Sequence, residues 1–304
     1  AHFEINGYDY TNIMLDGILS DRMFDGLVIM NDPNLDFDFL GKVNFNAEIP
    51  DFDFRLDLQK ALPGKLKLSK NFPASEMSFT MNANFSGNKI DNLAGSITVE
   101  NGLYKNRNGV LSLNGMSLRS ILTGTKNYIK FSSDFLDAEI NGEYHFENIL
   151  NAFKQSINRY IPAVTYDELP KEKINKFGYQ INVKDIDDVL TVFFPGYKIE
   201  TPFLLYGLVN SEESVFELKG SIPGISSQNV MLRNIFISNG PKEDTYTSLF
   251  RFGEVLLRNG MKLENLTIDS KIQDNSILNQ ITWGNQDEIT YSGIIKSRAD
   301  FSRR

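Results

Sequence analysis

The chain has 304 residues, 41% of them hydrophobic, no cysteine, and a formal charge of -8 with a pI near 5.0. That hydrophobic fraction is enough to build a folded core, and the missing cysteines exclude a disulfide framework, a thiolate metal site and a cysteine nucleophile. An acidic balance without clustered Lys and Arg argues against a nucleic-acid partner, and no apolar run is long enough to span a bilayer.

The text opens on Ala1-His2-Phe3 and reads as strand from Phe3 onward, as expected of an internal piece of a longer chain. From Leu35 the odd positions are Leu35, Phe37, Phe39, Gly41, Val43, Phe45, Ala47 and Ile49, while most even positions are polar. After Pro50 the parity flips, and Phe52, Phe54, Leu56 and Leu58 alternate with Asp53, Arg55 and Asp57. Met77, Phe79, Met81, Ala83 and Phe85 repeat the pattern against Ser78, Thr80, Asn82 and Asn84. A period of two with one apolar and one polar side predicts antiparallel strands, since strands buried on both faces would not alternate. Turn signals fall at Asp32-Pro33-Asn34, Pro63-Gly64, Asn101-Gly102, Asn108-Gly109 and Asn141-Gly142.

A four-fold phrase breaks the alternation. Tyr10-Thr11-Asn12-Ile13, Ile90-Asp91-Asn92-Leu93, Leu232-Arg233-Asn234-Ile235 and Leu263-Glu264-Asn265-Leu266 each skip two positions between apolar residues. Asn tolerates left-handed backbone and bonds neighbouring amides, so each copy predicts a bulge or turn that resets the buried face.

The period then changes. Phe146, Ile149, Leu150, Phe153, Ile157, Tyr160 and Ile161 lie at helical spacing, predicting a helix over 146–160 that stops before Pro162. A polar connector follows to Lys176, and Ile181 and Val183 resume the strand pattern. Asp185 to Phe194, ahead of Pro195, predicts a second short helix with Asp185 as N-cap. Further strands are expected at 203–209, 215–222, 230–237, 261–271, 277–283 and 288–295. The expected organisation is a β segment over 1–144, a helix and connector over 145–176, and a second β segment over 177–304 continuous with the first.

Catalytic signatures are absent from the text. The two histidines, His2 and His145, supply no triad pattern, and there is no Walker loop, dinucleotide fingerprint or His-Glu-x-x-His. The acidic pairs Asp36/Asp38 and Asp51/Asp53 alternate with Phe and read as the wet side of a strand, not as a calcium loop or a glycosidase dyad. No cofactor or metal is expected, and no enzyme activity.

One apolar face must be covered. A second sheet, as a sandwich or a closed barrel, is the common cover, and an open trough that holds a guest is the other. The 23 phenylalanines and the methionines suit a trough for acyl chains, because large or flexible apolar side chains conform to them. Candidate lining residues are Phe37, Phe39, Val43, Phe45, Ile49, Phe52, Phe54, Leu56, Leu58, Met77, Phe79, Met81, Phe85, Ile181 and Val183.

Several passages resemble the AsmA-like family, and within it the TamB translocation and assembly modules of Bacteroidetes-type bacteria. They are Tyr8-Asp9-Tyr10-Thr11-Asn12-Ile13 with Asp16-Gly17, Phe24-Asp25-Gly26, Asp32-Pro33-Asn34-Leu35 with Phe39-Leu40-Gly41, Ile90-Asp91-Asn92-Leu93-Ala94-Gly95, and Leu263-Glu264-Asn265-Leu266 with Trp283-Gly284-Asn285 and Tyr291-Ser292-Gly293. The resemblance implies a mainly β chain, with a long curled antiparallel sheet forming a taco-like hydrophobic groove and one or two short helices. It implies a place in the periplasm within a protein anchored to the inner membrane, and carriage of phospholipid toward the outer membrane. A second role it implies, with an outer-membrane barrel partner, is assembly of outer-membrane or secreted proteins. The rivals are a chaperone that holds client strands by strand addition and a closed β-sandwich with a binding or adhesive role.

Overall fold

A computed structural model describes residues 3–124, 126–168, 173–285 and 291–301. The chain is mainly β and antiparallel, with two short α-helices among the described residues. It divides into two compact units, the first made of Ala1–Thr123, Tyr128–Leu136 and Asp187–Pro195, the second of Gly124–Asn127, Asp137–Ile186 and Gly196–Arg304.

In the first unit, β1 (Phe3–Ile5) and β2 (Tyr8–Tyr10) form a small separate hairpin. The main ladder is an antiparallel meander of β3 (Ile13–Ser20), β4 (Met23–Asp32), β5 (Leu35–Asn44), β6 (Asp51–Ala61), β7 (Glu76–Ser86), β8 (Ala94–Asn106), β9 (Gly109–Ile121) and β10 (Asn127–Ser133). Each strand pairs with the next in sequence, the arrangement that short turns between amphipathic strands produce.

The second unit holds β11 (Leu136–Glu143), α1 (Ile149–Asn158) and β12 (Lys176–Val183). The helix α2 (Asp187–Phe193) comes next in the chain but packs in the first unit. After it come β13 (Lys198–Ile199), β14 (Phe203–Asn210), β15 (Val215–Phe216), β16 (Leu218–Ser226), β17 (Val230–Lys242), β18 (Thr245–Leu257), β19 (Lys262–Gln273), β20 (Ser276–Gly284) and β21 (Ser292–Asp300). The ladder runs β12, β14, β16, then β17 to β21 in order, with β15 paired to β14 and β13 to β16.

The helix expected over 146–160 is a 3-10 turn at Phe146–Asn148 continuing into α1. Its apolar side is spent inside the second unit: Phe153 meets Phe216 edge-on at 5.0 Å, and Tyr160, just past its end, lies 5.7 Å from Tyr246. Burial pushes the Tyr246 hydroxyl up to about 12, helped by the neighbouring Tyr179, Tyr160 and Glu217, while that hydroxyl donates to the Phe216 carbonyl. His145 serves the backbone: its N–H donates to Oδ1 of the fully buried Asn175. The second helix starts at Asp187, two residues later than its expected cap. Two strands of the second half, the short β13 and the whole of β18, have no counterpart among the expected ones. The part of the last expected strand at 288–290 and His2 lie outside the described residues.

Three of the four Asn phrases place the Asn at positive φ, 54° at Asn12, 50° at Asn234 and 50° at Asn265. In two of these the side chain bonds the neighbouring strand, Asn12 Nδ2 donating to the Asn31 carbonyl and Asn265 Nδ2 to that of Gly284. The fourth departs: Ile90–Asn92 is a 3-10 turn, in which Asn92 Oδ1 accepts from the N–H groups of Asn88 and Lys89. Two expected turns are also not turns. Asn101-Gly102 sits inside β8, with Asn101 at φ 52°, where the pairing with β7 shifts register, and Asn141-Gly142 sits inside β11. A dipeptide that permits φ > 0 serves a mid-strand bulge as well as a hairpin.

Gly41 and Gly95 take φ of 146° and 129°, conformations closed to residues with a Cβ, and each lies directly against a phenylalanine of the facing strand, Phe54 and Phe85. A Cβ on Gly41 would stand 2.4 Å from Phe54 Cα. Gly41→Ala is therefore expected to cost at least about 2 kcal/mol in urea denaturation. Gly115→Ala, where the added methyl meets nothing within 4 Å, is expected to stay within about 0.5 kcal/mol of the parent.

Candidate functional site

The pairing registers align the alternating runs of the first unit on one face. Across β4 to β7, Met30, Phe37, Leu58 and Phe79 stand in one row, Val28, Phe39, Leu56 and Met81 in the next, and Phe24, Val43, Phe52 and Phe85 near the far end. Phe39 lies between Phe24 and Phe54, at 6.1 and 5.0 Å between ring centroids, and Phe52 stacks on Phe85 at 4.6 Å while meeting Phe45 edge-on at 5.7 Å.

Along the strands this face changes character. At the end holding the Asp32–Leu35 turn it is sealed: Tyr10, Ile13, Met30, Leu58, Ala61 and Leu66 form a buried cluster, with Phe37, Met77 and Phe79 packed against it. Leu66, from the 62–75 segment between β6 and β7, is 1% exposed. At the opposite end nothing comparable among the described residues covers the sheet, and Leu19 is 80% and Phe45 52% exposed.

The fifteen residues chosen from the sequence divide accordingly. Phe37, Phe39, Val43, Phe52, Phe54, Leu56, Met77, Phe79, Met81 and Phe85 are half-buried on the shared face, and Leu58 is buried in the cluster. Phe45 is beyond the end of β5, its N–H donating to the Arg22 carbonyl. Ile49 is not on a strand: β5 ends at Asn44, and Ile49 lies exposed in the connection to β6. The alternation runs past Asn44 because the connecting residues keep the pattern beyond the last β5–β6 pair. Ile181 and Val183 belong to the second unit, on β12 opposite Leu205 and Phe203, with Val183 buried. A sheet packed under a second sheet would bury most of such a set, whereas here only Leu58 and Val183 are buried.

Sequence reasoning missed the lock on the sealed end. Asp32 is buried, and its carboxylate accepts from the Tyr8 hydroxyl and the Asn34 N–H at Oδ1 and from the Thr11 N–H and hydroxyl at Oδ2. Burial alone would raise its pKa; the donors outweigh it, Tyr8 foremost, and hold the carboxyl below its ordinary value. The Asp-Pro-Asn turn foretold the Asn34 bond, but nothing in the text pointed to Tyr8 or Thr11. Lys67 Nζ adds a bond to the Gly7 carbonyl, tying the β1–β2 hairpin to the 62–75 segment.

Two surface concavities of this unit lie on the polar face instead, the first of about 520 Å3 with Asp25, Lys42, Asp53, Arg55, Asn82 and Asn84 in its lining. Lys42 stands in register between Asp25 and Asp53, so opposite charges face one another and present no single sign to a ligand. The acidic pairs Asp36/Asp38 and Asp51/Asp53 are on β5 and β6. Among the described residues no cluster of His, Asp or Glu is placed to hold a metal ion, and no helix is long and apolar enough to cross a membrane.

No family model, curated protein or solved structure matches this chain.

Asp32→Asn is expected to lower stability by about 1–3 kcal/mol at neutral pH, since one carboxylate oxygen is replaced by a donor facing donors. Because the native carboxyl is held below its unfolded value, its stabilisation is present above about pH 4 and is lost as pH falls further. Urea midpoints of parent and variant should converge on acidification; a gap that stayed constant would show that the charge of Asp32 has no part in it.

Proposed function

We propose that the apolar face of the first unit holds phospholipid acyl chains, and that the chain is a non-enzymatic lipid-carrying segment. The observation that carries the reading is a broad Phe- and Met-rich face whose side chains are half-buried and backed by an ordered ladder, sealed at one end only. Each methylene taken out of water against such a face gains about 0.8 kcal/mol, so even partial contact holds a tail. In this reading the sheet curls into a trough around its guest, with charged side chains on the outer surface. On the resemblance of its sequence passages to AsmA-like proteins, the proposed setting is the periplasm, in a protein anchored to the inner membrane, with phospholipid moving toward the outer membrane and an outer-membrane barrel as partner.

A second reading draws on β3, where Met14, Leu15, Ile18 and Leu19 are 51 to 80% exposed although they project to both sides of the strand. Apolar side chains on both faces of an exposed strand favour addition of a client strand, as a chaperone for outer-membrane or secreted proteins would require.

Organic extraction of the purified chain after incubation with phospholipid vesicles separates the two. Stoichiometric phospholipid supports carriage, and a lipid-free chain that binds extended peptides supports the chaperone. Phe54→Asp is expected to abolish lipid retention with the far-ultraviolet circular dichroism unchanged, because the half-buried site leaves the new charge in reach of water. Leu58→Asp is expected to unfold the first unit, since it places an unpaired charge in the sealed cluster. Undiminished lipid in the Phe54 variant would remove that face from the site.

A further inference from the structure

The ladder of the first unit ends on β3, which among the described residues is bonded along β4 only, with every residue from Met14 to Ser20 exposed. A free edge invites a foreign strand, and proteins blunt such edges with charge or proline. β21, bonded along β20 only, is guarded in this way by Lys296, Arg298 and Asp300. β3 has one charge, Asp16, and neither lysine nor proline. The chain that leads into β3 leaves this edge open, because the β1–β2 hairpin turns to the sealed end, where Tyr8 bonds Asp32 and Tyr10 joins the buried cluster. The ladder also fixes which backbone groups are on offer. Asn31 N–H donates to the Asn12 carbonyl and Phe45 N–H to that of Arg22. Bonding alternates along antiparallel strands, so in these registers the even residues of β3 bond β4. The N–H and C=O groups of Leu15, Gly17 and Leu19 therefore point outward, while their side chains share the apolar face with Val28, Gly26 and Phe24.

We infer that β3 pairs antiparallel with β3 of a second copy of this chain, about a two-fold axis at Gly17. In that register Gly17 meets Gly17 of the second copy, and Leu15 of each copy meets Leu19 of the other. All three are pairs of outward-pointing residues, so they exchange backbone bonds. Asp16 then faces Ile18 of the second copy and Met14 faces its Ser20, which matches every residue from Met14 to Ser20. Other registers fail. A slip by one residue would join the apolar side of one copy to the polar side of the other. An axis at Asp16 would set the two aspartates directly opposite, and like charges so placed are destabilising. An axis at Ile18 would leave Leu15 opposite Asp21, which lies past the end of β3 at φ 52°. The strand is thus complementary to itself, which favours a second copy over a client strand of unrelated sequence. The two-fold axis keeps the odd residues of both copies on one side, so the two apolar faces run on as one. This pairing goes beyond the lipid-carrying reading and does not depend on it.

Because the chain has no cysteine, introduced thiols report the register. Asp16 and Ile18 of the second copy form a non-hydrogen-bonded pair, with Cα atoms about 4.5 Å apart. Full-length Asp16→Cys and Ile18→Cys chains are mixed and oxidised, and the linked peptides are identified by mass spectrometry. The mixed disulfide is expected in excess over its random proportion, with little cross-linking of either variant alone. Sedimentation of the parent over a dilution series is expected to show monomer passing to dimer and nothing larger, since the pairing consumes the edge of both copies. Leu15→Lys, which adds a guard charge at an exposed site, is expected to remain monomeric with the far-ultraviolet circular dichroism of the parent. Leu15→Pro, which removes an outward N–H and leaves the bonds to β4, is expected to do the same. A parent that is monomeric at every concentration overturns the assignment, as does a dimer that survives both Leu15 variants. Cross-links that join Asp16→Cys or Ile18→Cys chains chiefly to their own kind overturn the register, and longer oligomers overturn the two-fold pairing. Lipid retention is read separately by extraction, so its failure leaves this result standing.

Discussion

An antiparallel ladder that carries its apolar side chains on one side must keep that side from water, and the first unit is organised by how far it does so. At one end the β1–β2 hairpin and the 62–75 segment close over the sheet and produce a buried cluster in which Leu66 is almost wholly removed from solvent. Toward the other end the same strands continue with Phe and Met but without a cover. Stability and the proposed guest binding would therefore draw on one continuous face of side chains. The buried part supplies folding free energy, and the half-buried part leaves apolar area whose burial a ligand can still gain.

The sealed end is held by polar devices as much as by packing. Asp32 gathers donors from β2, from the β2–β3 connection and from its own turn, so a buried carboxylate is fully bonded in a position where an unbonded one would be costly. Asn106 and Asn108 do the same for the C-terminal carbonyl region of α2, where a helix leaves acceptors unbonded. The first arrangement ties the β1–β2 hairpin to the sealed end, and the second ties α2 to the β8–β9 turn.

The second unit uses its apolar surface differently. Phe153, Tyr160 and Phe177 pack with Phe216, Tyr246 and Phe146 around α1, and Val183 and Val209 are buried on neighbouring strands. The two short helices therefore serve unlike ends: α1 completes a core in its own unit, whereas α2 docks on the β8–β9 turn of the first.

Most of the strands, their antiparallel pairing and the apolar side of β5 to β7 were legible in the sequence, because a period of two is imposed by backbone geometry and a one-residue slip would expose the whole set. The Asn phrases were legible for a similar local reason, and three of them hold the Asn in left-handed backbone. Limits appeared where local chemistry has two outcomes. Asn101-Gly102 permits a bulge as readily as a turn, and the alternation through Phe45 and Ile49 continues beyond the last ladder bond. The strand β18 escaped because its Gly253 and its mixed apolar and polar residues blur the period. Only the tertiary structure decided which part of the face is sealed, that Tyr8 and Thr11 converge on Asp32, and that a helix some eighty residues downstream docks on Asn106 and Asn108. Contacts between segments so distant in sequence depend on how the intervening chain is routed, and routing leaves no periodic mark on the residues it brings together.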